Sequence, residues 1–476
     1  MFMMLVVPVR AALPFALQGP GIDPAHFRVT IFASGLNYPV GMVQLADGSI
    51  LATSSDGPNF FTSNGRLLRL VDADHNGVAD GPGTELITGL SGGVTSVRIG
   101  GQLVFVTGQN RPIYVLRMGA KPSDPFTQVG RIDITYAAGG WEHPHSALGL
   151  RPTPGAAQSY DVFFQIGSKA NFAATTQNAS FSSTGLGGIS GTLRGDSVYM
   201  LTFVDHGSSV TATNLAQVLN GVRNPSGFAF HPVTGDLYFE DNGIDGLVDA
   251  NEPLSADELN VLPASAMGWS GTSPVPFYGF PTTYTEYRTG TSVGRLGVAP
   301  LVSFQPQPDP LSGEESEGPN DIAFSPPGFP AELNDGIFVT FHGKFSQGGT
   351  SNEENPLVFV RLGTTNYFHI TKAKLPGVGH LDGLLPAADS LFVSDIATNG
   401  SLAMGAGKGV IYQITALVGP PVRAQWVGTE IELTWKYGVL QQSAEVRSGW
   451  ADVATTSPYR IAPRDATQRF FRTRNN

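Results

Sequence analysis

The sequence predicts an all-β protein, a six-bladed β-propeller followed by a small β-sandwich-like module. Three observations carry this expectation: a hairpin pattern that returns six times, a turn-rich composition, and no sustained helical stripe. The repeats read GMVQLADGSILATS (41–54), SVRIGGQLVFVTG (96–108), ALGLRPTPGAAQSYDVFFQIGS (147–168), GFAFHPVTGDLYFED (227–241), DIAFSPPGFPAELNDGIFVTF (321–341) and GLLPAADSLFVSD (383–395). Period-two apolar residues on both sides of a Gly, Asp or Pro turn make antiparallel hairpins. A hairpin cannot bury both faces alone, so six of them must pack on one another around an axis. With 59 Gly, 35 Pro, 29 Phe and only 14% charged residues in 476, many short strands and tight turns are favoured over helices.

The elements follow in order. Residues 1–26 are a lead-in whose first 18 residues, MFMMLVVPVRAALPFALQ, are apolar enough for an export signal but lack a basic start. A periplasmic or extracellular location is therefore expected. The propeller is expected over 27–415: the isolated strand FRVTIFA (27–33) precedes the first hairpin and GVIYQIT (409–415) follows the last, and pairing them closes the ring. Closure removes an exposed sheet edge. The stretch 416–422, with VGPPV, reads as a linker. Beyond it, 423–476 holds short strand signals for the terminal module, with Trp435, Trp450 and Phe470 as its core.

Net charge is −11, and no Lys/Arg cluster exists to neutralise phosphates, so nucleic acid is excluded as a partner. No apolar run reaches the ~18 residues of a membrane-spanning helix. Cysteine is absent, which removes disulfides and thiolate metal sites.

Chemistry concentrates around the fourth hairpin. RNPSGFAFHPVTGDLYFEDNG (223–243) is followed by an acidic loop to DELN (257–260) and then YGFP (278–281). In this order the motifs resemble the glucose and sorbosone dehydrogenase family, soluble quinoprotein sugar dehydrogenases built as six-bladed propellers. The resemblance covers most of 27–415. It implies pyrroloquinoline quinone (PQQ) and calcium as cofactors, a carbohydrate-like substrate and an external electron acceptor. It also implies a histidine base in WEHPHSALGLRP (141–152), at His143, with His145 two residues away. Arg223 and Asn224 match the family's cofactor-contacting pair, Lys344 a cation after the fifth hairpin, and Gly243 with Ile244 the carbonyls near the calcium.

The chain also departs from the family. Ser91 stands where the glucose oxidisers carry Gln, and Gly379, His380 and Leu381 stand where they carry two arginines. His380 supplies a cofactor charge only when protonated. Apart from the resemblance, DADHNGVAD places oxygens of Asp72, Asp74, Asn76 and Asp80 at positions one, three, five and nine around Gly77, the spacing of a short calcium loop. A plain Asx-turn is the alternative. Two other functions stay open at this stage: a calcium-dependent lactonase using Asp241, Asn242 and Asn224, and a non-catalytic propeller that binds carbohydrate or protein.

Overall fold

A computed structural model describes residues 14–62, 64–249, 252–267, 274–345, 347–462 and 468–475. Six sheets hold the repeated hairpins, and in each the first strand lies innermost. Blade 1 comprises Met42–Gln44, Ile50–Asp56, Asn64–Leu70 and Thr84–Leu90. Blade 2 begins with Val94–Gly100 and Leu103–Gly108, and is widened by Asn178–Thr184 and Ser190–Arg194. Blades 3, 4 and 5 have Leu148–Pro152, Phe228–Phe230 and Pro319–Phe324 as inner strands. Blade 6 runs from Leu381–Pro386 through Ser390–Asp395 and Gly409–Ala416 to the N-terminal strand Phe27–Leu36.

Each inner strand packs against those of its two neighbours, blade 6 against blade 1 included, so the ring is closed. The closing pair is antiparallel, with Phe27 opposite Ala416 and Val29 opposite Ile414. Ser394 Oγ adds a 2.8 Å bond to the Val40 carbonyl across the same junction.

Apolar clusters fill the space between successive blades. Leu51 and Leu67 meet Val97 and Val106, Phe105 meets Phe164, Phe163 meets Phe228 and Phe239, and Phe304 meets Val339. Phe338 faces Val393, and Phe392 faces Met42. A blade therefore buries both faces, which is why Leu103–Gly108 and Gly336–Phe341 are buried at every position and read as continuous apolar runs.

Residues 1–13, most of the expected export signal, lie outside the described residues. Its remainder is part of the fold: Phe15 and Leu17 are buried, and the Phe15 ring centroid lies 5.2 Å from that of Tyr412. Among the described residues no helix is long and apolar enough to cross a membrane. Beyond the propeller, Arg423–Val427, Glu430–Thr434 and Tyr459–Ile461 form one sheet, and Ala451–Asp452, Val439–Ser443 and Phe470–Arg474 another. Leu433 and Leu440 are its buried apolar side chains; Trp435, Trp450 and Phe470, expected there, are only half-buried.

Candidate active site

Chain segments that precede an inner strand and those that follow the second strand meet at one mouth of the ring, where they enclose a cavity of about 370 Å³. Every blade contributes to its wall. Gly167, at the end of the second strand of blade 3, shows how two of these segments are brought together. A Cβ there would stand 2.6 Å from the carbonyl oxygens of both His143 and Arg223, so only glycine lets the two segments close on this strand. Ser168 then ties them: its N–H donates to Arg223 O at 2.7 Å, and its carbonyl accepts from His143 N–H at 3.1 Å.

His143 lines the cavity. Its Nδ1 is 2.8 Å from Ser168 Oγ, and the Ser168 hydroxyl donates its one proton to Ala170 O at 2.8 Å. Nδ1 must therefore carry the hydrogen, leaving Nε2 bare. Burial and then the Arg223 charge push the imidazole down to about 3, so it is neutral. A hydroxyl behind the ring gives little support to an imidazolium.

His342 also stands in the wall, on the blade 5 side. Its Nδ1 lies 2.7 Å from Asp382 Oδ1, and that carboxylate is almost wholly buried. Its Nε2 is buried and has no hydrogen-bond partner among the described residues. A carboxylate behind Nδ1 fixes the tautomer, with the hydrogen on Nδ1 and Nε2 left as the acceptor. The ring stacks on His380 at 3.7 Å between centroids, with planes 4° apart, which holds its orientation.

Other expected site residues have different roles. His145 is buried: Tyr136 O–H reaches its Nδ1 at 2.8 Å, and its Nε2 lies 2.5 Å from Arg111 O. Both nitrogens are spent on the fold, so it is a strut and no catalyst. His380 is fully buried, with nitrogens 2.7 Å from His342 O and 2.9 Å from Gly400 O. Burial and the neighbouring His342 push it down to about 4, so it is no cofactor cation. Lys344 pairs with Glu353 at 2.8 Å and Glu354 at 3.2 Å and stays outside the cavity. Arg223 is buried and bound to Asp245 at 2.6 Å; Asn224 does line the cavity.

In the DADHNGVAD loop the expected ligand oxygens accept hydrogen bonds within the loop instead. Asp72 takes Asn76 N–H at 3.1 Å and Gly77 N–H at 2.9 Å, Asp74 takes Asn76 N–H at 3.2 Å, Asn76 Oδ1 takes Val78 N–H at 2.8 Å, and Asp80 takes Ala73 N–H at 2.8 Å. These bonds make the loop a set of Asx-turns, the alternative that the sequence offered.

Buried carboxylates also gather beside blade 4. Asp241 and Glu258 border a void of about 20 Å³, room for one water or ion, next to Gly243, Ile244 and Tyr278. Burial raises Asp241 to about 7 despite N–H bonds from Arg223 and Asn224; burial, with the Asp241 charge, raises Glu258 to about 8. Crowded buried carboxylates of this kind suit a hard divalent ion. Ile244 itself is a poor ligand, because its carbonyl already accepts Leu254 N–H at 2.8 Å and Ser255 N–H at 3.2 Å.

PQQ fits less well. Its carboxylates need cations, and no Lys or Arg is among the described residues that line the cavity. The charged groups of the wall are Glu142, Asp245 and Asp382. The residues present do not suit a tricarboxylate.

No family model matches the chain. An uncharacterised protein of Borreliella burgdorferi is 33% identical over 129 residues, 27% of this chain; the match spans 30% of that relative's length. Solved structures match more widely. The calcium structure of a Trichoderma reesei carbohydrate-active enzyme of family AA12 has a TM-score of 0.52 at 14% identity, covering 86% of this chain and 99% of its own. The holo PQQ domain of a Coprinopsis cinerea pyranose dehydrogenase has a TM-score of 0.50 at 14% identity, with the same coverage, 86% and 99%. A glucose dehydrogenase gives 0.51 at 14%, covering 82% and 99%. The chain is an all-β propeller. More particularly, it has the fold of the PQQ-dependent soluble sugar dehydrogenases, as its motifs led one to expect.

Proposed function

We propose that the protein is a carbohydrate oxidoreductase in which a neutral sugar or polyol occupies the axial cavity, its hydroxyl proton passing to Nε2 of His342 and the hydride of the same carbon to an external electron acceptor of the quinone class that carries less charge than PQQ. The observation that carries this reading is the His342–Asp382 pair, a base with its supporting carboxylate, set in a monosaccharide-sized cavity. Phe61 and Phe345 stand exposed at the mouth, and Asn224 and Asn320 offer amides within; aromatic faces for C–H bonds and amides for hydroxyls suit a sugar. The shared fold supports the same class. Calcium, if bound, is held by Asp241 and Glu258, where it neutralises buried charge. PQQ is the hydride acceptor implied by the resemblance, but the cavity suits an acceptor of lower charge. Export is part of the proposal, with any cleavage upstream of Phe15.

The same charge misfit favours a second reading, hydrolysis of a sugar lactone, which needs only the base, water and a cation. One experiment separates them. The protein is given glucose, other aldoses and polyols with an electron-accepting dye, with and without PQQ and calcium, and in parallel gluconolactone without dye. Dye reduction supports the oxidoreductase, lactone opening alone the hydrolase, and neither a binding propeller.

A further inference from the structure

Two cations near the cavity, Arg223 and Lys344, are paired with the chain's own carboxylates, and one of these, Asp245, stands on the wall itself. Arg223 Nη2 lies 2.6 Å from Asp245 Oδ2 and 2.9 Å from Asn171 Oδ1, while its Nε donates to Asn171 O at 3.1 Å. Asn171 fixes the Asp245 backbone in turn: its Oδ1 accepts Asp245 N–H at 2.9 Å, and its Nδ2 donates to Asp245 O at 3.1 Å. The three residues form one knot. The Arg223 side chain is only 4% exposed behind it, whereas that of Asp245 is 59% exposed and lines the cavity. A ligand in the cavity therefore meets the carboxylate and not the guanidinium.

We propose that Asp245 sets the charge specificity of this site: it masks Arg223 and turns away anionic ligands, so that the cavity takes neutral and amine-bearing polyols and excludes uronates, sugar phosphates and PQQ itself. The proposal rests on reading the cavity as the ligand site. Repulsion between like charges at a contact is strong enough to decide which partner binds. Arg223 is poised to become a carboxylate partner once its own is removed, because a guanidinium pairs with carboxylates through directed N–H bonds. Glu142 and Asp382 add to the same sign.

The test is direct binding, with no need of turnover. PQQ, followed by its absorbance, and glucuronate, followed by calorimetry, are titrated into the wild type, Asp245→Asn and the double variant Asp245→Asn/Arg223→Gln, with glucose and glucosamine as uncharged and cationic controls. Asn is isosteric and the position is exposed, so the fold is retained; matching melting temperatures check this, and Asp245→Ala serves as the second variant. Asp245→Asn is expected to bind PQQ and glucuronate at least ~10-fold more tightly than the wild type, and the double variant to lose that gain. Equal or unmeasurable affinity for both anions in wild type and Asp245→Asn overturns the proposal, as does a gain that survives loss of Arg223. Failure of every neutral sugar to bind or react instead overturns the functional reading, and the anion series still reports on Asp245.

Discussion

At the scale of single residues, function turns on which imidazole has a carboxylate behind it. Turnover by His342→Ala is expected to fall at least ~100-fold, the usual contribution of a general base, and Asp382→Asn to lower kcat with little change in KM. His143→Ala, which removes a neutral acceptor, should act mainly on KM; a larger kcat loss in His143→Ala than in His342→Ala would return the role to His143. Buried His145 makes a separate prediction. Burial pushes it down to about 4, against about 6.5 in an unfolded chain. Its neutral form is thus a source of stability that is complete above about pH 6.5 and is lost as pH falls toward 4. The cost of His145→Gln, measured by urea unfolding, should shrink over that interval; a constant difference would mean His145 does not resist protonation. The sequence made the pair at 143 and 145 legible, since two imidazoles around Pro144 in a Gly-rich stretch are poor core material. It could not reveal that 145 turns inward to Tyr136. Nor could it reveal the carboxylate behind His342, since Asp382 lies 40 residues away on the next blade.

At the scale of elements, local pattern fixed strands well and ligands poorly. Alternating apolar residues have one physical outcome, a buried strand, whereas oxygens at calcium-loop spacing have two, an ion or the backbone N–H groups of an Asx-turn. In the 72–80 loop the oxygens of Asp72 accept backbone N–H groups, the second of these. Asp72→Ala should therefore cost about 1 kcal/mol, the worth of its hydrogen bonds, and cost the same with chelator present. A chelator-dependent difference would restore the ion there. The blade 4 void behaves oppositely. Asp241, near 7, and Glu258, near 8, hold protons in the folded chain that the unfolded chain has lost above about pH 4. Their stabilising contribution is complete below that pH and disappears as pH rises through 7 to 8. Melting temperature in chelator should fall from pH 5 to pH 8 by more in the wild type than in Glu258→Gln. Added calcium should restore the wild type at pH 8 and not the variant, because an ion that binds only the native state stabilises it by mass action. A pH 8 melting curve indifferent to calcium removes the cation from this site.

At the scale of the whole molecule, the ring was legible because six copies of one pattern have few ways to bury both faces, and the strand signals at 27–33 and 409–415 had no other partners. Where those strands meet, Ile411, Tyr412 and Ile414 are buried against blades 5, 6 and 1, and among the described residues Phe27–Leu36 has Gly409–Ala416 as its one neighbour in the sheet. A chain ended before Gly409 leaves two strand edges unpaired and two inter-blade cores open. It is expected to lose cooperative melting altogether. A chain ended after Leu417 keeps the closure, including the bonds from Ala416 N–H to Asp389 O at 2.9 Å and from Leu417 N–H to His26 O at 2.7 Å. Among the described residues it loses the amide of Asn475, which donates to Gly328 O at 3.2 Å and Ala416 O at 3.0 Å, and the cover of Tyr437 over Gly328. Two such bonds are worth about 1–2 kcal/mol, so this shorter chain should melt cooperatively within ~8 °C of the whole protein. Circular dichroism melts with limited proteolysis decide the matter. Cooperative melting of the chain ended before Gly409 would mean that the ring does not depend on its closing strand, and unfolding of the chain ended after Leu417 would make the terminal sheets part of the propeller's own core.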